Sequence, residues 1–505
     1  MVTEEWRKVL RQRMEVEETK QDLVMKENWE FVSPLQADLW DAWHKQSGDP
    51  EKYIGKWARE GCPLGMECEI QTCGIFPEVD EEDQEELPEL EAIAAKKNYA
   101  SILENREDAE KEILRYVDKG FAIVRPMSWA QQMFEKGTVS KLACVTKIKE
   151  DHTKKVRVIV DLLRSHGNLR CKVPERIVLP RAVDVVGMGR DLDAQGDALW
   201  HEFQPVDERT WDMEMVMIDL SDAFCHFPIN KKEVRHALAP GLEPDTVIAF
   251  TAMLFGFKSA PLIMGRLSSC LARLWQSLLR PCDGALQLYV DDAIVFLNGT
   301  KSFRDVNLAM LLYTASAFGV QIAYHKGERG RRTTWIGIQF GIDPAEAAMM
   351  LTIPGKMIKE LREALESWKD KGMISVRHLR SITGKASWMA GILPRWRWIV
   401  SIMYAVLASH DRDVKSGAER RRAQRRDDDR VKEHLIPVKR VELPRLFLLE
   451  AIQQAATQLI RKEPFTEKKI DRGIITDACP TGLGAILVTR TPSGQLKPYL
   501  LQQSD

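Results

Sequence analysis

The sequence predicts an α+β fold, with short buried strands and amphipathic helices interleaved along one chain. Three observations carry that expectation. Apolar runs rich in Val, Ile and Met recur at residues 141–146, 157–160, 213–218 and 288–296, and runs of that kind read as buried strands. Between them, Ile263, Leu267, Cys270, Leu271 and Leu274 repeat at helical spacing. Asp291 and Asp292 sit between two apolar runs, at the tip of an expected hairpin. Like charges side by side are costly near a core, and a divalent cation between them removes that cost. An ordinary Asp-Asp hairpin turn is an equal alternative on these residues alone.

The chain has 505 residues, 44% apolar and 29% charged, which is ordinary for a soluble protein and suits about three domains at roughly 150 residues each. No stretch is apolar for the ~20 residues that a membrane span needs. The nearest, residues 399–408, is short and follows Arg395 and Arg397. Residues 1–20 are charged throughout and unlike a signal peptide, so an intracellular location, cytoplasm or nucleus, is expected. The nine cysteines are scattered, as free thiols in a reducing compartment are. Net charge is −1, but residues 1–95 carry −14 and the remainder +13. A basic body behind an acidic leader suits a polyanion-binding domain, and solvated surface charge accounts for it equally well.

Taken in order, residues 1–77 form an N-terminal extension of unassigned role. Five Trp residues stand among its charges, and the composition of residues 6–26 is helical. Cys62, Cys68 and Cys73 are too irregular for a zinc knuckle and lack a well-placed His. Residues 78–98 read as an acidic linker, with the charge concentrated in 78–91. Residues 104–118 form a charged amphipathic helix. Strands are expected at 141–146 and 157–160, joined by a loop dense in lysine, with Lys147 and Lys149 at its start. A lysine-rich hairpin followed by an inward-facing Arg157 could grip a triphosphate. A solvated tip is the better reading for most of those lysines, less so for Arg157, which apolar residues flank.

The strand at 213–218 ends in Asp219, a position suited to holding a metal at a sheet edge. Asp222 is read as structural, able to cap the following helical turn. Ser259 is expected to cap a helix with Pro261 in its first turn, and Gly256 before it permits close approach by a base or sugar. A helix over 302–318, a polar turn at Lys326 and a strand over 334–338 come next. Helices are expected at 358–368 and 376–390, with Pro394 breaking the pattern. The run 412–432 reads as a solvated linker, 446–460 as a helix, and 473–478 with 483–488 as paired strands.

Asp219 ending a strand, Gly256-Phe257-Lys258-Ser259-Ala260-Pro261 opening a helix and Tyr289-Val290-Asp291-Asp292 in a hairpin occur in that order. This set resembles the palm of reverse transcriptases from retroelements, of the long-terminal-repeat or DIRS-like kind. Residues 156–168 resemble the fingers strand of that family, 218–229 its first catalytic motif and 255–261 its template-positioning motif. Lys326 and Trp335-Ile336-Gly337 resemble the two motifs after the active site, and 474–487 the first hairpin of ribonuclease H. The resemblance covers roughly residues 99–505.

It implies a right-hand polymerase with fingers and palm over 99–345, a helical thumb or connection over 346–410, a charged linker over 411–440 and a truncated ribonuclease H-like segment over 441–505. The implied activity is RNA-directed DNA synthesis, in which a nucleotidyltransferase adds deoxynucleotides to a primer on an RNA or DNA template. Asp219, Asp291 and Asp292 would be the catalytic and metal residues, holding two Mg2+ ions, with Mn2+ as a substitute. Arg157 and either Lys147 or Lys149 would bind the incoming deoxynucleoside triphosphate, beside Asp222, Ala223 and Phe224. Phe224 would sit under the sugar and collide with a 2′-hydroxyl. Gly256, Phe255, Tyr289, Trp335 and Gly337 would contact template or primer, and Lys326 is a candidate general acid for the pyrophosphate.

There are departures from the family pattern. Phe255 stands where many retroviral enzymes have Gln, and Leu163 replaces a common Arg. Of the several acidic residues a ribonuclease H site needs, only the vestigial Asp477 is present, so ribonuclease H activity is not expected. The alternative function is a catalytically inactive nucleic-acid-binding remnant of a retroelement polyprotein. An RNA-dependent RNA polymerase is disfavoured by Phe224 and by Tyr289-Val290 before the Asp pair.

Overall fold

The strand Asp212–Asp219 is buried at Met213–Val216 and at Ile218, on both faces, which is why Met215–Ile218 reads as a continuous apolar run rather than an alternating one. It lies in a four-stranded sheet in the order Gly284–Tyr289, Asp292–Gly299, Asp212–Asp219, Glu328–Gly330. Side chains alternate across a strand, and here the two faces enter different cores. Val216, Ile218, Ala293, Val295 and Leu297 join one apolar cluster; Met213, Met215, Ile294 and Phe296 join the other. The sheet is the wall between them. The computed structural model describes residues 2–16, 32–79, 89–148, 154–203, 212–422, 435–454, 459–465, 472–479, 482–490 and 496–503.

The first core contains the helix Ala260–Ser277, on which Ile263, Leu267, Cys270, Leu271 and Leu274 are all buried. It also contains most of the described N-terminal extension, including Leu35, Leu39, Trp40, Trp57 and Leu64. Residues 33–79 are therefore built into the same core as the Asp-Asp hairpin rather than appended to it. Trp40 Nε1 donates to the Phe318 carbonyl at 3.0 Å. Gly319, at φ +83°, passes so close to Pro34 that a Cβ would lie 1.8 Å from its carbonyl oxygen. Glu233, fully buried, accepts the backbone N–H groups of Leu64, Met66, Glu67 and Cys68. That wraps the extension around a single carboxylate.

Arg266 ties the extension to the helix through buried charge. Its side chain and those of Glu51 and Glu175 are all fully buried. Arg266 Nη2 donates to Glu51 Oε1 at 2.9 Å, and the guanidinium lies 4.6 Å from the Trp57 ring centre. Removing one partner of a buried pair leaves the other charge uncompensated, at a cost of about 3–5 kcal/mol. Arg266→Ala is expected to lower the thermal unfolding midpoint and to shift the protein into the insoluble fraction. An unchanged midpoint would show that the extension is not held through this residue.

The expected strands at 141–146 and 157–160 are Leu142–Ile148 and Lys154–Val160, paired antiparallel. The helix at 104–118 is Arg106–Asp118, preceded by the short Ala100–Glu104. The tip of the lysine hairpin, including Lys149, and residues 80–88 of the acidic run lie outside the described residues. The helix expected at 302–318 is Lys301–Ala317.

Four expectations are corrected. Residues 334–338 are not one strand: Arg332–Trp335 turns at Ile336-Gly337 into Ile338–Asp343. Both turn residues have positive φ, 43° and 80°, as a two-residue hairpin loop requires. The helix expected over 446–460 is Glu442–Gln454; Leu459 and Ile460 belong to a strand, Leu459–Pro464. That strand completes a second sheet with Arg332–Trp335, Ile338–Asp343 and Ala348–Ile353. The expected boundary at 441 therefore falls inside the second core, which includes Leu448, Ile452 and Leu459. The charged run does not begin as a linker, because the helix Arg397–Arg422 continues into it, and Leu435–Pro437 pairs with Met373–Ser375. Residues 423–434 of that run lie outside the described residues. The strand pair expected at 473–478 and 483–488 is present as Arg472–Cys479 and Gly482–Arg490, paired antiparallel, and Leu496–Gln503 adds a third strand to it.

The helix Ala182–Phe203 is unforeseen; its glycines lower helix propensity, and packing on the second core compensates. The helices expected at 358–368 and 376–390 are Gly355–Glu366 and Val376–Ile392, with a 3-10 turn at Pro394–Trp396. Among the described residues no helix is long and apolar enough to cross a membrane.

Candidate active site

Antiparallel pairing sets the site. The register places Asp219, the last residue of its strand, directly across from Asp292, the first of its own. Asp291 precedes it in the hairpin turn. Three carboxylates from two hydrogen-bonded strands are thereby delivered to one end of the sheet, all three half-buried.

The turn that presents them is strained and tightly held. Val290 has φ 56°, unfavourable for a β-branched residue. Three successive carbonyls are bonded. The Ser268 hydroxyl reaches that of Val290, Leu220 N–H donates to that of Asp291 at 2.9 Å, and Trp335 Nε1 donates to that of Asp292 at 2.9 Å. Each partner comes from a different element, so the surrounding structure over-determines the turn. Ser268 escaped sequence reasoning. Its only signal was a hydroxyl beside an otherwise apolar helix face.

Crowding raises the carboxyl pKa values. Burial pushes Asp291 up, and the charge of Asp219 adds to it. Burial, Asp291 and Asp219 together push Asp292 up to about 6, with Lys326 opposing. Lys326 Nζ lies 2.6 Å from Asp219 Oδ1. The donor set is all oxygen and mutually repulsive, which fits a hard divalent cation. Among the described residues, no three acidic, His or Cys groups already form a cluster able to hold one; Asp219 is engaged by Lys326.

Ionising Asp292 costs the folded state nothing below the unfolded carboxylate range near ~4. The cost grows through about 6 and is complete above that. Because the group is half-exposed, solvent screening leaves about 1 kcal/mol. In metal-free buffer at pH 7.5, Asp292→Asn is therefore expected to raise the unfolding midpoint by about 2 °C, with the difference gone at pH 4. A difference that is the same at both pH values would contradict the crowding.

The other expected site residues surround this turn or stand apart from it. Asp222, at φ 46°, makes no capping bond to the turn Ala223–His226. It pairs instead with Lys119 and with Arg115, the latter at 2.9 Å. Burial opposes its ionisation, but those two cations outweigh burial and hold its carboxyl below the usual range. Ala223 is buried. Phe224 is half-buried, and its ring meets Phe255 edge-on at 5.7 Å. Phe255 is 74% exposed. Gly256, at φ 116°, gives its carbonyl to Asn168 Nδ2 at 2.9 Å. Ser259 makes no capping bond, although it directly precedes the helix.

Two expectations change in kind. Arg157 is not inward-facing: Val158 and Val160 turn toward the core, and the strand's alternation leaves Arg157 exposed. Trp335 is 1% exposed, so it cannot present itself to template or primer; it supports the Asp-Asp turn from beneath. Tyr289 is half-buried, edge-on to Trp335 at 6.2 Å. Gly337 is exposed at its hairpin tip, and Lys147 is exposed on the ribbon. Asp477 falls on the strand Arg472–Cys479, which belongs to a different sheet from the three carboxylates' strands.

No family model and no curated protein matches this chain. Among solved structures, it is similar to a foamy viral protease-reverse transcriptase in complex with an RNA/DNA hybrid: 12% identity, TM-score 0.45, covering 81% of this chain and 45% of that one. A second foamy viral form, dRH, with double-stranded DNA gives 13% identity and TM-score 0.45, covering 83% and 60%. A third, again with double-stranded DNA, gives 12% identity and TM-score 0.44, covering 85% and 72%. The chain thus spans under half the length of the first of these and well over half of the third.

Proposed function

We propose that the chain is an RNA-directed DNA polymerase of a retroelement, with fingers and palm in residues 99–345 and a helical thumb after them. The observation that carries the reading is the register pairing Asp219 with Asp292, with Asp291 adjacent in a strained, over-determined turn. An ordinary Asp-Asp turn needs neither a third carboxylate from the neighbouring strand nor three captured carbonyls.

Two Mg2+ ions bound by Asp219, Asp291 and Asp292 would neutralise charge on the attacking and leaving oxygens of a phosphoryl transfer. Lys326, already at Asp219, is suited to hold and deliver a proton toward the leaving pyrophosphate. Phe224, edge-on to Phe255, would exclude a 2′-hydroxyl and so select deoxynucleotides. Arg157 and Lys147, both exposed on one ribbon, would draw in the triphosphate as mobile cations. Gly256, Phe255, Tyr289 and Gly337 remain the proposed template and primer contacts.

Primer extension on an RNA template with magnesium tests the reading. No extension by the wild-type protein, with template–primer binding retained, would instead identify a nucleic-acid-binding remnant.

A further inference from the structure

His226 closes the turn that carries Phe224, and it is 1% exposed. Its two ring nitrogens face two different segments. Nε2 lies 2.9 Å from the backbone nitrogen of Gln321. A backbone N–H can only donate, so Nε2 is an unprotonated acceptor. Nδ1 then carries the ring proton and donates it to the Ala223 carbonyl at 2.8 Å. One neutral tautomer satisfies both bonds, and burial disfavours the charged ring.

The segment that His226 grips leads to the carboxylates. Ser221 N–H donates to the Gln321 carbonyl at 2.8 Å, and Ala323 N–H donates to the Asp219 carbonyl at 2.8 Å. The 3-10 turn Tyr324–Lys326 comes directly after, with Lys326 Nζ on Asp219. On the other side, Ala223 directly precedes Phe224. The imidazole thus bridges the ring proposed to read the sugar and the segment bearing the ammonium proposed to supply the proton. The Ser33 hydroxyl donates to the His226 carbonyl at 2.6 Å, which ties the N-terminal extension to the same residue.

We infer that His226 is a positioning residue whose neutral imidazole clamps the Phe224 turn to the Lys326 segment, fixing sugar selection and proton delivery in one frame around Asp219. The inference rests on the polymerase reading for its functional meaning, but the clamp itself is a structural statement with its own readout. Neither Asp219 nor the other carboxylates contacts the ring among its hydrogen bonds, so its effect on turnover is indirect.

Two substitutions separate the two bonds. In His226→Gln the longer amide can place a carbonyl oxygen near the Nε2 position and keep the Gln321 bond, and because residue 226 is itself part of the Phe224 turn, that bond alone still joins the two segments. In His226→Asn the shorter amide keeps only the Ala223 bond. Hydrogen exchange should rise in both 223–226 and 320–326 in the Asn variant and stay near wild type in the Gln variant. Exchange that rises only at 223–226, or rises equally in the two variants, overturns the clamp. In primer extension, corrected for active-site concentration, the Asn variant should lose about 10-fold in kcat, a cost of about 1.4 kcal/mol. Its discrimination between deoxy- and ribonucleotides should fall together with kcat, and the Gln variant should retain both. If the active fraction falls while kcat and discrimination stay unchanged, His226 is merely structural and the functional half is wrong. If the wild type fails to extend a primer while the exchange pattern holds, the polymerase reading fails and the clamp stands.

Discussion

Asp291→Asn is expected to abolish primer extension while leaving template–primer binding intact. The substitution is isosteric and removes one charge from a site whose carboxylates are already half-buried and in mutual repulsion. Folding should therefore tolerate it, because the neutral amide relieves crowding in the metal-free state. Catalysis should not. Metal-mediated charge stabilisation supplies several kcal/mol, and each ~1.4 kcal/mol is tenfold in rate, so a loss of about 10³-fold or more is expected. Single-nucleotide extension on an RNA template reads the rate, and gel shift on the same duplex reads binding. Residual activity within tenfold of wild type would remove Asp291 from the site.

The second large effect concerns the sugar. Phe224→Ala should raise ribonucleotide incorporation relative to deoxynucleotide by roughly 10–100-fold, the range that a pocket discriminating by steric fit can supply. The ring is half-buried and braced edge-on by Phe255, so it is held against displacement rather than free to swing away. The ratio of kcat/KM for the two nucleotide kinds is the measurement. An unchanged ratio would return Phe224 to the core. Removing the brace through Phe255→Ala should relax selection in the same direction by a smaller factor, because the gate itself remains.

Much of this was legible in the residues, and the reason is local. The Asp212–Asp219 and Asp292–Gly299 strands are buried on both faces, so their apolar runs are continuous and conspicuous. The helix Ala260–Ser277 shows its stripe at Ile263, Leu267, Cys270, Leu271 and Leu274, although residues 262–268 are buried all round. Strand-ending Asp219 and the Asp291-Asp292 tip were therefore visible as chemistry at element boundaries. Short turns and long-range partners were not visible. Ile336-Gly337 reads as part of an apolar run until its positive φ values are seen, and Leu459-Ile460 reads as helix until it pairs with Ala348–Ile353.

The sequence by itself determined the order and type of the central elements, the three carboxylates and the aromatic beside them, because periodicity and charge are properties of neighbouring residues. Only the tertiary structure decided that the acidic extension is core, through Arg266 and Glu233. It also revealed that Trp335 lies beneath the turn rather than on the surface, that Arg157 faces solvent, and that Ser268, Leu220 and Trp335 hold the Asp-Asp turn. Those contacts join residues tens to hundreds of positions apart, and nothing in the local pattern of either partner encodes the other.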